Sequence, residues 1–327
     1  MLQRLIVACY DFNLNCFSPV EFRGFAGSTL RGALGGVFRN LVCVTRAPTC
    51  EGCLLRHQCA YGYVFETAPP PSSERLRLYE SVPRPYVLDV HDSGRLLFEE
   101  GEQLWFTLTL VGRAIDYFPY VVLAVERLQE SGLGKGRREG RGRFALGEIH
   151  ARRADGSTVR VYTPETRLDL LNLPTIRGAE MLHQAHSLPT HRLRLRFLTP
   201  TRLRFEGRLT DDIQFHHLVR ALLHRLSGLL YFHCGAEPET DYTALIAQAQ
   251  EVRTVHRDLQ WVDQVRYSQW QKSMVRMGGF TGEMVFEGDL EPFLPLLVAG
   301  EYVHVGKGTV MGMGKIQIVR EEERDNA

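Results

Sequence analysis

The segment HRLRLRFLTPTRLRFEG, residues 191–207, decides how the second half of this chain folds. Its first residues alternate between two kinds: Leu193, Leu195 and Phe197 on one side, and Arg192, Arg194 and Arg196 on the other. Successive side chains of a β-strand point to opposite faces. The alternation therefore predicts a strand with an apolar face toward a core and an arginine stripe on its other face.

The residues that follow continue this plan. Helical spacing connects a set of apolar residues: Phe215, Leu218, Val219, Leu222, Leu223 and Leu226. Asp211 or Asp212 is the candidate N-cap of that helix. GGFTGEMVFEGDL (278–290) is predicted to be a strand, followed by a short helix that begins near Asp289 and extends through Leu297. We expect Gly300 to end that helix and two short strands, 302–305 and 315–319, to complete the fold.

The first half repeats the same order of elements. The patterns predict, in order, a strand over 2–12, a helix over 27–42, strands near 79–90 and 96–111, a helix over 117–130 and a strand at 143–152. This order, β-α-β-β-α-β, is that of a ferredoxin-like domain. The predicted fold class is α+β, with tandem ferredoxin-like domains at 1–165 and 190–320. A cysteine-rich insertion (43–66) belongs to the first domain, and a glycine-rich loop (304–315) belongs to the second.

Composition limits the class of protein. The chain has 327 residues, of which 44% are hydrophobic and 24% are charged, which is typical of a soluble globular protein. No apolar stretch reaches the length of a membrane span, and the N-terminus does not resemble a secretion signal. Seven cysteines in such a chain favour a reducing compartment. We therefore expect a cytoplasmic protein without a membrane partner.

Basic residues are mostly arginine, since only four of the 39 are lysine. Arginine binds phosphate through two hydrogen bonds and stacks on bases, although a GC-rich genome also raises arginine content. Two basic patches are candidates for RNA binding. They comprise Arg192, Arg194, Arg196, Arg202 and Arg204 in one, and Lys135, Arg137, Arg138, Arg141 and Arg143 in the other. Alternate residues of a strand lie roughly 6.5–7 Å apart, near the phosphate repeat of extended RNA.

The second patch lies in GLGKGRREGRGRF (132–144), whose glycines predict a mobile arm that RNA would order. A solvated strand face and a plain hairpin loop are the alternative interpretations of the two patches. Two such patches in a chain of net charge +1 favour nucleic acid.

A second glycine-rich stretch is GEYVHVGKGTVMGMGK (300–315). It is not a Walker A loop, because Lys307 is followed by glycine and the stretch precedes a predicted strand. It also lacks the third glycine of a dinucleotide-binding fingerprint. A tight β connection is one interpretation. The other is a loop that offers free amides to anions, and it makes Gly306, Lys307, Gly308, Gly312 and Gly314 candidates for RNA binding.

Four cysteines form a separate cluster: Cys43, Cys50, Cys53 and Cys59, with the spacing C-x6-C-x2-C-x5-C. Four thiols within 17 residues suit a tetrahedral Zn²⁺ ion, and an iron–sulfur cluster uses the same ligands. A fully ligated ion leaves no open position for chemistry, so its predicted role is structural. An alternative function, from a different class, is that of a redox protein that carries a metal cluster.

Four stretches resemble one family: LRGALGGVFRNLVC (30–43), CAYGYVFE (59–66), FLTPTRLRFEGRL (197–209) and the glycine-rich 278–318. They resemble the cysteine-containing members of the CRISPR repeat-processing endoribonucleases, the Cas6 branch of the RAMP superfamily. The resemblance implies two ferredoxin-like domains and cleavage of precursor CRISPR RNA without a catalytic metal. The RNA 2′-hydroxyl would be the nucleophile, leaving 2′,3′-cyclic phosphate and 5′-hydroxyl ends. The alternative is a non-catalytic RAMP subunit that binds RNA within an effector complex.

Relatives in this family often place histidine, tyrosine and lysine in the first domain for catalysis. The matching helix here contains Ser28, Thr29, Arg31 and Arg39 but no histidine, so candidates must come from elsewhere. We predict His304, Tyr267 and Lys272 as catalytic residues, because alternation turns His304 outward beside the glycine-rich loop and the other two precede it. The alternatives are a structural hydrogen bond by His304, a polar connector at 264–272, and a site that the RNA assembles with arginine. His57 is a weaker candidate. The implied partners are CRISPR repeat RNA or mature crRNA, other CRISPR effector subunits, and a second copy of the chain.

Overall fold

The computed structural model describes residues 2–69, 82–92, 94–171, 173–205, 208–210, 212–237, 241–268 and 273–320. The chain divides into two compact units. The N-terminal unit comprises Ile6–Thr175 and Gly228–Ala236, and the C-terminal unit comprises Met1–Leu5, Ile176–Ser227 and Glu237–Ala327. The domain ranges drawn from the sequence, 1–165 and 190–320, stay a prediction. None of the helices in the described ranges is long and apolar enough to span a membrane.

The N-terminal unit is built on one antiparallel sheet. Its elements are β1 (Ile6–Cys16), β2 (Val20–Glu21), α1 (Ala26–Val42), α2 (Ala60–Val64), β3 (Tyr86–Val90), β4 (Leu97–Phe98), β5 (Gln103–Val111), α3 (Phe118–Ser131), β6 (Phe144–Arg152), β7 (Thr158–Thr163) and β8 (Arg167–Leu168). The strand order is β3-β5-β1-β6-β7-β8. The four strands β3-β5-β1-β6, with α1 and α3 as crossovers, form the predicted ferredoxin-like arrangement.

Aromatic packing fixes the helical face of this sheet. Tyr10 of β1 stacks on Phe118 of α3 with ring centroids 3.5 Å apart, and Phe12 stacks on Phe106 at 4.6 Å. All four rings are buried. Burying one such side chain contributes about 1.5–3 kcal/mol, so these contacts hold the helices on one face and leave the other for polar residues.

The C-terminal unit repeats the arrangement. Its elements are β9 (Ile176–Arg177), α4 (Gly178–His186), β10 (Arg192–Thr201), β11 (Leu203–Phe205), β12 (Arg208–Thr210), α5 (Phe215–His233), α6 (Tyr242–Gln250), β13 (Arg253–Val262), β14 (Val265–Ser268), β15 (Ser273–Arg276), β16 (Gly279–Glu287), α7 (Leu294–Val303) and β17 (Ile316–Ile318). The sheet order is β13-β16-β10-β17. The α+β, tandem ferredoxin-like prediction is confirmed.

One predicted boundary is wrong. Helix α7 continues through Gly300 to Val303, so the predicted strand 302–305 does not form. Gly300 is a packing residue here, because a Cβ at this position would lie 2.8 Å from both Leu222 and Ile316. Its missing side chain lets α5 and β17 approach the helix. The final strand forms as β17, inside the predicted range 315–319.

Candidate nucleic-acid interface

The glycine-rich loop connects α7 to β17 and closes on itself. The amide of Val305 donates a hydrogen bond to the carbonyl oxygen of Gly314, 2.9 Å away, at the neck of the loop. Gly314 has φ +71, and a Cβ there would lie 1.8 Å from the Val305 carbonyl oxygen. Only glycine fits this position, which explains the glycine in the sequence.

The loop rests on the end of β10. The amide of Gly314 donates to the Pro200 carbonyl oxygen at 3.2 Å. The Thr199 hydroxyl donates to the Gly312 carbonyl oxygen at 2.8 Å and accepts from the Lys315 amide at 2.9 Å. The end of β10 and the glycine-rich loop, which lie in separate signatures of the sequence, are therefore in direct contact.

A cluster of cations surrounds this contact: Arg202, Arg204, Arg266 and Lys307. Burial and then the nearby Arg204 and Arg202 lower the pKa of Lys307. Burial, then Arg204 and Arg266, also lower the pKa of Arg202. Such repulsion among like charges is relieved when an anion binds.

Carboxylates do not neutralise most of this cluster. Within the described ranges, no Asp or Glu oxygen lies within 4 Å of Arg202, Arg204 or Lys307. The Nε atom of Arg202 is buried and has no hydrogen-bond partner there. The arrangement suits a phosphate group, which offers both negative charge and acceptor oxygens.

The predicted arginine stripe lies on one face of β10, and Leu193, Leu195 and Phe197 are buried on the other, as the alternation predicted. Two glutamates of β16 form ion pairs with the arginines of this stripe and neutralise part of its positive charge. Glu287 pairs with Arg192 and with Arg253, the latter at 3.5 Å. Glu283 pairs with Arg194, with Arg196 at 3.7 Å and with His256 at 3.8 Å. The stripe keeps a net positive charge that is smaller than the sequence alone suggests.

His304 does not face outward, so its predicted exposed position is wrong. It is 3% exposed, because the segment ends a helix instead of forming a strand. Its φ is +59, and its Nδ1 lies 3.2 Å from the Met313 carbonyl oxygen. Since a carbonyl only accepts, Nδ1 carries the proton and donates it. The ring thus ties the start of the glycine-rich loop to its end.

Of the other two predicted catalytic residues, the structure describes only the backbone of Tyr267. Tyr267 lies in β14, where its backbone pairs with Met274 of β15, and nothing is described of its side chain. Lys272 lies outside the described residues. His57 is exposed in the cysteine-bearing segment of the N-terminal unit. The catalytic assignment stays a prediction.

Sequence reasoning missed a histidine pair at the start of α5. The rings of His216 and His217 lie 4.1 Å apart, and His217 lies 4.1 Å from the ring of Phe205. Nδ1 of His217 accepts a hydrogen bond from the Gln214 amide at 3.1 Å. Burial lowers the pKa of both imidazoles, which favours their neutral forms. The dipeptide His216–His217 directly before a helical pattern was the available signal.

Two family models match parts of this chain. The model of CRISPR-associated endoribonuclease Cas6 matches residues 195–316, and the AF_1859_N model, described as an N-terminal domain, matches residues 5–174. The latter covers more than half of the chain. The chain belongs to the AF_1859_N family and is a Cas6-type RAMP protein. No curated protein sequence matches it.

Solved structures agree with the fold of this Cas6-type protein. The Cas6 (TTHB231) product complex has a TM-score of 0.59 at 15% identity, over 96% of this chain and 100% of that one. Thermus thermophilus Cas6 (TTHB231) has a TM-score of 0.55 at 14% identity, over 96% and 99%. A partial Cas6-RT-Cas1--Cas2 complex contains a chain with a TM-score of 0.56 at 15% identity, over 96% of this chain and 46% of that one.

The arm 132–144 of this Cas6-type protein is not a free arm. It is held in place by hydrogen bonds to residues 18–21, so the predicted mobile arm is instead an ordered loop. Lys135 pairs with Glu21 at 2.9 Å, and Arg143 donates to the Glu130 carbonyl oxygen at 2.8 Å. Its other arginines, Arg137, Arg138 and Arg141, are exposed.

The predicted metal site is not supported by the side-chain positions. Among the described residues, no three or more His, Cys, Asp or Glu side chains are grouped so that they could hold a metal ion. The four cysteines do line one cavity of about 470 Å³. Cys50 and Cys53 are joined by a turn in which the Cys53 amide donates to the Cys50 carbonyl oxygen at 3.3 Å, with Gly52 at φ +72. All four cysteines therefore border one cavity, but their described side chains are not grouped as metal ligands.

The open face of the N-terminal sheet carries a polar network that the sequence did not reveal. Arg152 binds both oxygens of Asp11 at 2.6 Å, and the Thr107 hydroxyl donates to Asp11 at 2.6 Å. Nε2 of His91 lies 2.8 Å from the same hydroxyl. The alternation of Asp11, Asn13 and Asn15 along β1 was the available signal. The network cross-links β1, β5 and β6 and the residue after β3.

Proposed function

We propose that this Cas6-type protein binds CRISPR repeat RNA in precursor transcripts and cleaves it without a catalytic metal. The RNA 2′-oxygen attacks the adjacent phosphorus, the bond from phosphorus to the 5′-oxygen breaks, and a proton passes to that oxygen. The products carry 2′,3′-cyclic phosphate and 5′-hydroxyl ends. One similar structure is a Cas6 product complex, which supports substrate processing by this fold.

The observation that carries the proposal is the cation cluster held by the glycine-rich loop. Arg202, Arg204 and Lys307 lie together, and no described carboxylate lies within 4 Å of them. The phosphorane formed by 2′-oxygen attack carries additional negative charge, so fixed cations stabilise it more than they stabilise the substrate. The loop is held by backbone hydrogen bonds, so the cations need little reorganisation during the reaction.

Acid–base catalysis by His304, Tyr267 and Lys272 stays a prediction. The burial of His304 supports a role in shaping the loop, since a base must reach the 2′-hydroxyl proton within hydrogen-bonding distance. Tyr267 lies on the hairpin that also carries Arg266 of the cation cluster. That placement supports keeping Tyr267 among the candidates.

The proposal is tested by incubating the full-length protein with 5′-labelled CRISPR repeat RNA in excess EDTA. We expect a product with a 2′,3′-cyclic phosphate, and no product from the all-deoxy form of the same sequence. A Lys307→Ala, Arg204→Ala double variant is expected to lose about 100-fold in cleavage rate, near the effect of removing one or two transition-state donors. Arg127→Ala, which removes an exposed arginine of α3, is the control.

Two outcomes oppose the proposal in different ways. Tight RNA binding with no cleavage would identify a non-catalytic RAMP subunit that grips RNA. Cleavage that requires a divalent ion would contradict the metal-independent mechanism. Association with other CRISPR proteins also stays a prediction, and it draws support from the similar chain found in a Cas6-RT-Cas1--Cas2 complex.

A zinc ion bound by Cys43, Cys50, Cys53 and Cys59 is a separate proposal. The shared cavity and the turn between Cys50 and Cys53 support it, whereas no described group of three or more metal-ligating side chains is arranged to hold an ion. The expected result is about one zinc per purified chain, removed by a Cys50→Ser, Cys53→Ser variant but not by Cys234→Ser. If the protein is purified in the presence of zinc and contains none, the proposal is contradicted. A brown chromophore would favour an iron–sulfur cluster instead.

A further inference from the structure

Each unit of the protein contains the same glycine-rich motif. The N-terminal unit has GKGRREGRG at residues 134–142, and the C-terminal unit has GKGTVMGMG at residues 306–314. Both fit the pattern G-K-G-x-x-x-G-x-G. Both follow the second crossover helix of their unit and precede the fourth strand of its ferredoxin-like arrangement, α3 and β6 in one and α7 and β17 in the other.

The two segments also share one backbone conformation. The motif glycines have φ of +86, +75, +83 and +71 in the N-terminal loop and +82, +85, +86 and +71 in the C-terminal loop. Each loop contains one 3₁₀ turn, at Arg137–Glu139 and at Thr309–Met311. Each neck is closed by one amide, Leu133 to Gly142 and Val305 to Gly314, both at 2.9 Å.

The support beneath each loop is equivalent as well. In the N-terminal unit, Lys135 and Gly142 donate to the carbonyl oxygens of Glu21 and Pro19 at 2.8 and 3.1 Å. In the C-terminal unit, Lys307 and Gly314 donate to those of Arg202 and Pro200 at 3.0 and 3.2 Å. In both units a hydroxyl accepts a hydrogen bond from the amide that follows the last motif glycine: Ser18 accepts from Arg143 and Thr199 accepts from Lys315, both at 2.9 Å. Matching hydrogen bonds at every anchor identify the loops as copies of one structural device.

The charges on the two copies have diverged. The residue that accepts the lysine amide is Glu21 in the N-terminal unit and Arg202 in the C-terminal unit. Lys135 therefore forms an ion pair with Glu21 at 2.9 Å, whereas the neighbours of Lys307 are cations. The N-terminal loop instead carries Arg137, Arg138 and Arg141, where its counterpart has Thr309, Val310 and Met313. These three arginines are exposed, and no carboxylate oxygen lies within 4 Å of them in the part of the chain that the structure describes.

From this duplication we infer that residues 133–142 form a second binding site for the phosphodiester backbone of RNA. Arg137, Arg138 and Arg141 supply its positive charge, and Glu21 keeps Lys135 from contributing. The identity of the nucleic acid rests on the proposed function. The two sites use one scaffold with different cations, so each makes its own contribution to affinity.

The test is fluorescence anisotropy of labelled CRISPR repeat RNA with the full-length protein in EDTA at several salt concentrations. For an Arg137→Ala, Arg138→Ala, Arg141→Ala variant, we expect weaker binding and a shallower dependence of log affinity on log salt, by about 2 for three lost contacts to single-stranded RNA. Glu21→Gln releases Lys135 and is expected to strengthen binding severalfold. A control variant removes Arg127, Arg153 and Arg167, three other arginines of the same unit.

The outcomes separate this inference from the proposed function. Wild-type cleavage together with an unchanged salt dependence in the triple variant would overturn the second site and leave the endoribonuclease intact. Failure of the wild-type protein to bind RNA at any salt concentration would overturn both. Equal losses in the triple variant and its control would show a general charge effect and would also overturn the second site. Thermal melts of each variant check that the fold is retained.

Discussion

The amide of Lys307 donates a hydrogen bond to the carbonyl oxygen of Arg202 across 3.0 Å. This bond joins two of the four segments that carry the family resemblance, 197–209 and 278–318, and places two cations of the cluster side by side. Both side chains have a lowered pKa for the same two reasons, burial and neighbouring positive charge. The glycine-rich loop therefore acts as a support that concentrates charge, and its glycines allow the close contact.

Gly306→Ala is predicted to loosen this contact. A Cβ at Gly306 would lie 2.5 Å from the Arg202 carbonyl oxygen, and the residue has φ +82. We expect a loss of about 1–3 kcal/mol in the free energy of unfolding, measured by urea denaturation, together with weaker RNA binding. Gly36→Ala in α1 is the matched control, since nothing lies within 4 Å of its Cβ, and it is expected to be neutral or slightly stabilising. Equal effects of the two substitutions would show that the contact has no special role.

Substitutions of His304 distinguish a positioning role from proton transfer. Asparagine can place a donor near the position of Nδ1 and tolerates positive φ, whereas glutamine places its amide near the position of Nε2. If the ring only ties the loop to Met313, His304→Asn keeps most activity, and His304→Gln loses about tenfold or more with an unshifted pH–rate profile. If His304 transfers a proton, both variants lose activity and one limb of the profile disappears.

Asp11→Asn is predicted to weaken the N-terminal sheet. The Asp11 carboxylate accepts two hydrogen bonds from Arg152 and one from Thr107, and Asp11 is 8% exposed. Removing its charge leaves the guanidinium of Arg152 without its anion, which is expected to cost about 1–3 kcal/mol of unfolding free energy. Asp155→Asn, in an exposed turn, is the control. An unchanged urea midpoint for Asp11→Asn would show that solvent replaces the pair without loss.

Two cysteines are predicted to differ strongly in thiol reactivity. Burial raises the pKa of Cys9 to about 11 from an ordinary 9.0, while the Thr45 hydroxyl and Arg39 lower the pKa of Cys43. At pH 8, iodoacetamide should label Cys43 in folded protein freed of metal with a chelator and label Cys9 only after unfolding. Peptide mass spectrometry measures both sites. Fast labelling of Cys9 in the native protein would contradict the assignment.

The raised pKa of Cys9 also predicts that the stability of the fold depends on pH. Between about pH 9 and 11 the unfolded chain ionises at Cys9 while the folded chain keeps its proton, so the unfolded state binds fewer protons. The stabilisation is complete below pH 9 and is lost as the pH rises through that range. The difference in urea midpoint between wild type and Cys9→Ala should therefore shrink with rising pH. A difference that stays constant from pH 8 to 10.5 would contradict it.

The spacing of apolar residues predicted an element correctly where it fitted only a strand or only a helix. The alternation from 192 to 197 became β10, and the helical spacing from 215 to 226 became the first part of α5. The pattern at 302–305 was ambiguous, because four residues fit a strand and a helix end equally well. Packing of Gly300 against Leu222 and Ile316 decided it. That contact joins residues distant in the sequence, so no local window contains it.

The sequence by itself determined the tandem ferredoxin-like fold and the positions of its glycine-rich loops, because periodicity and glycine placement act over a few residues. Tertiary structure decided which of the loop cations are neutralised by a carboxylate. Lys135 and Lys307 occupy the same place in the same motif, yet Glu21 neutralises one while Arg202 and Arg204 surround the other. Coulomb interactions depend on distance through space, and Glu21 lies 114 residues from the lysine that it pairs with.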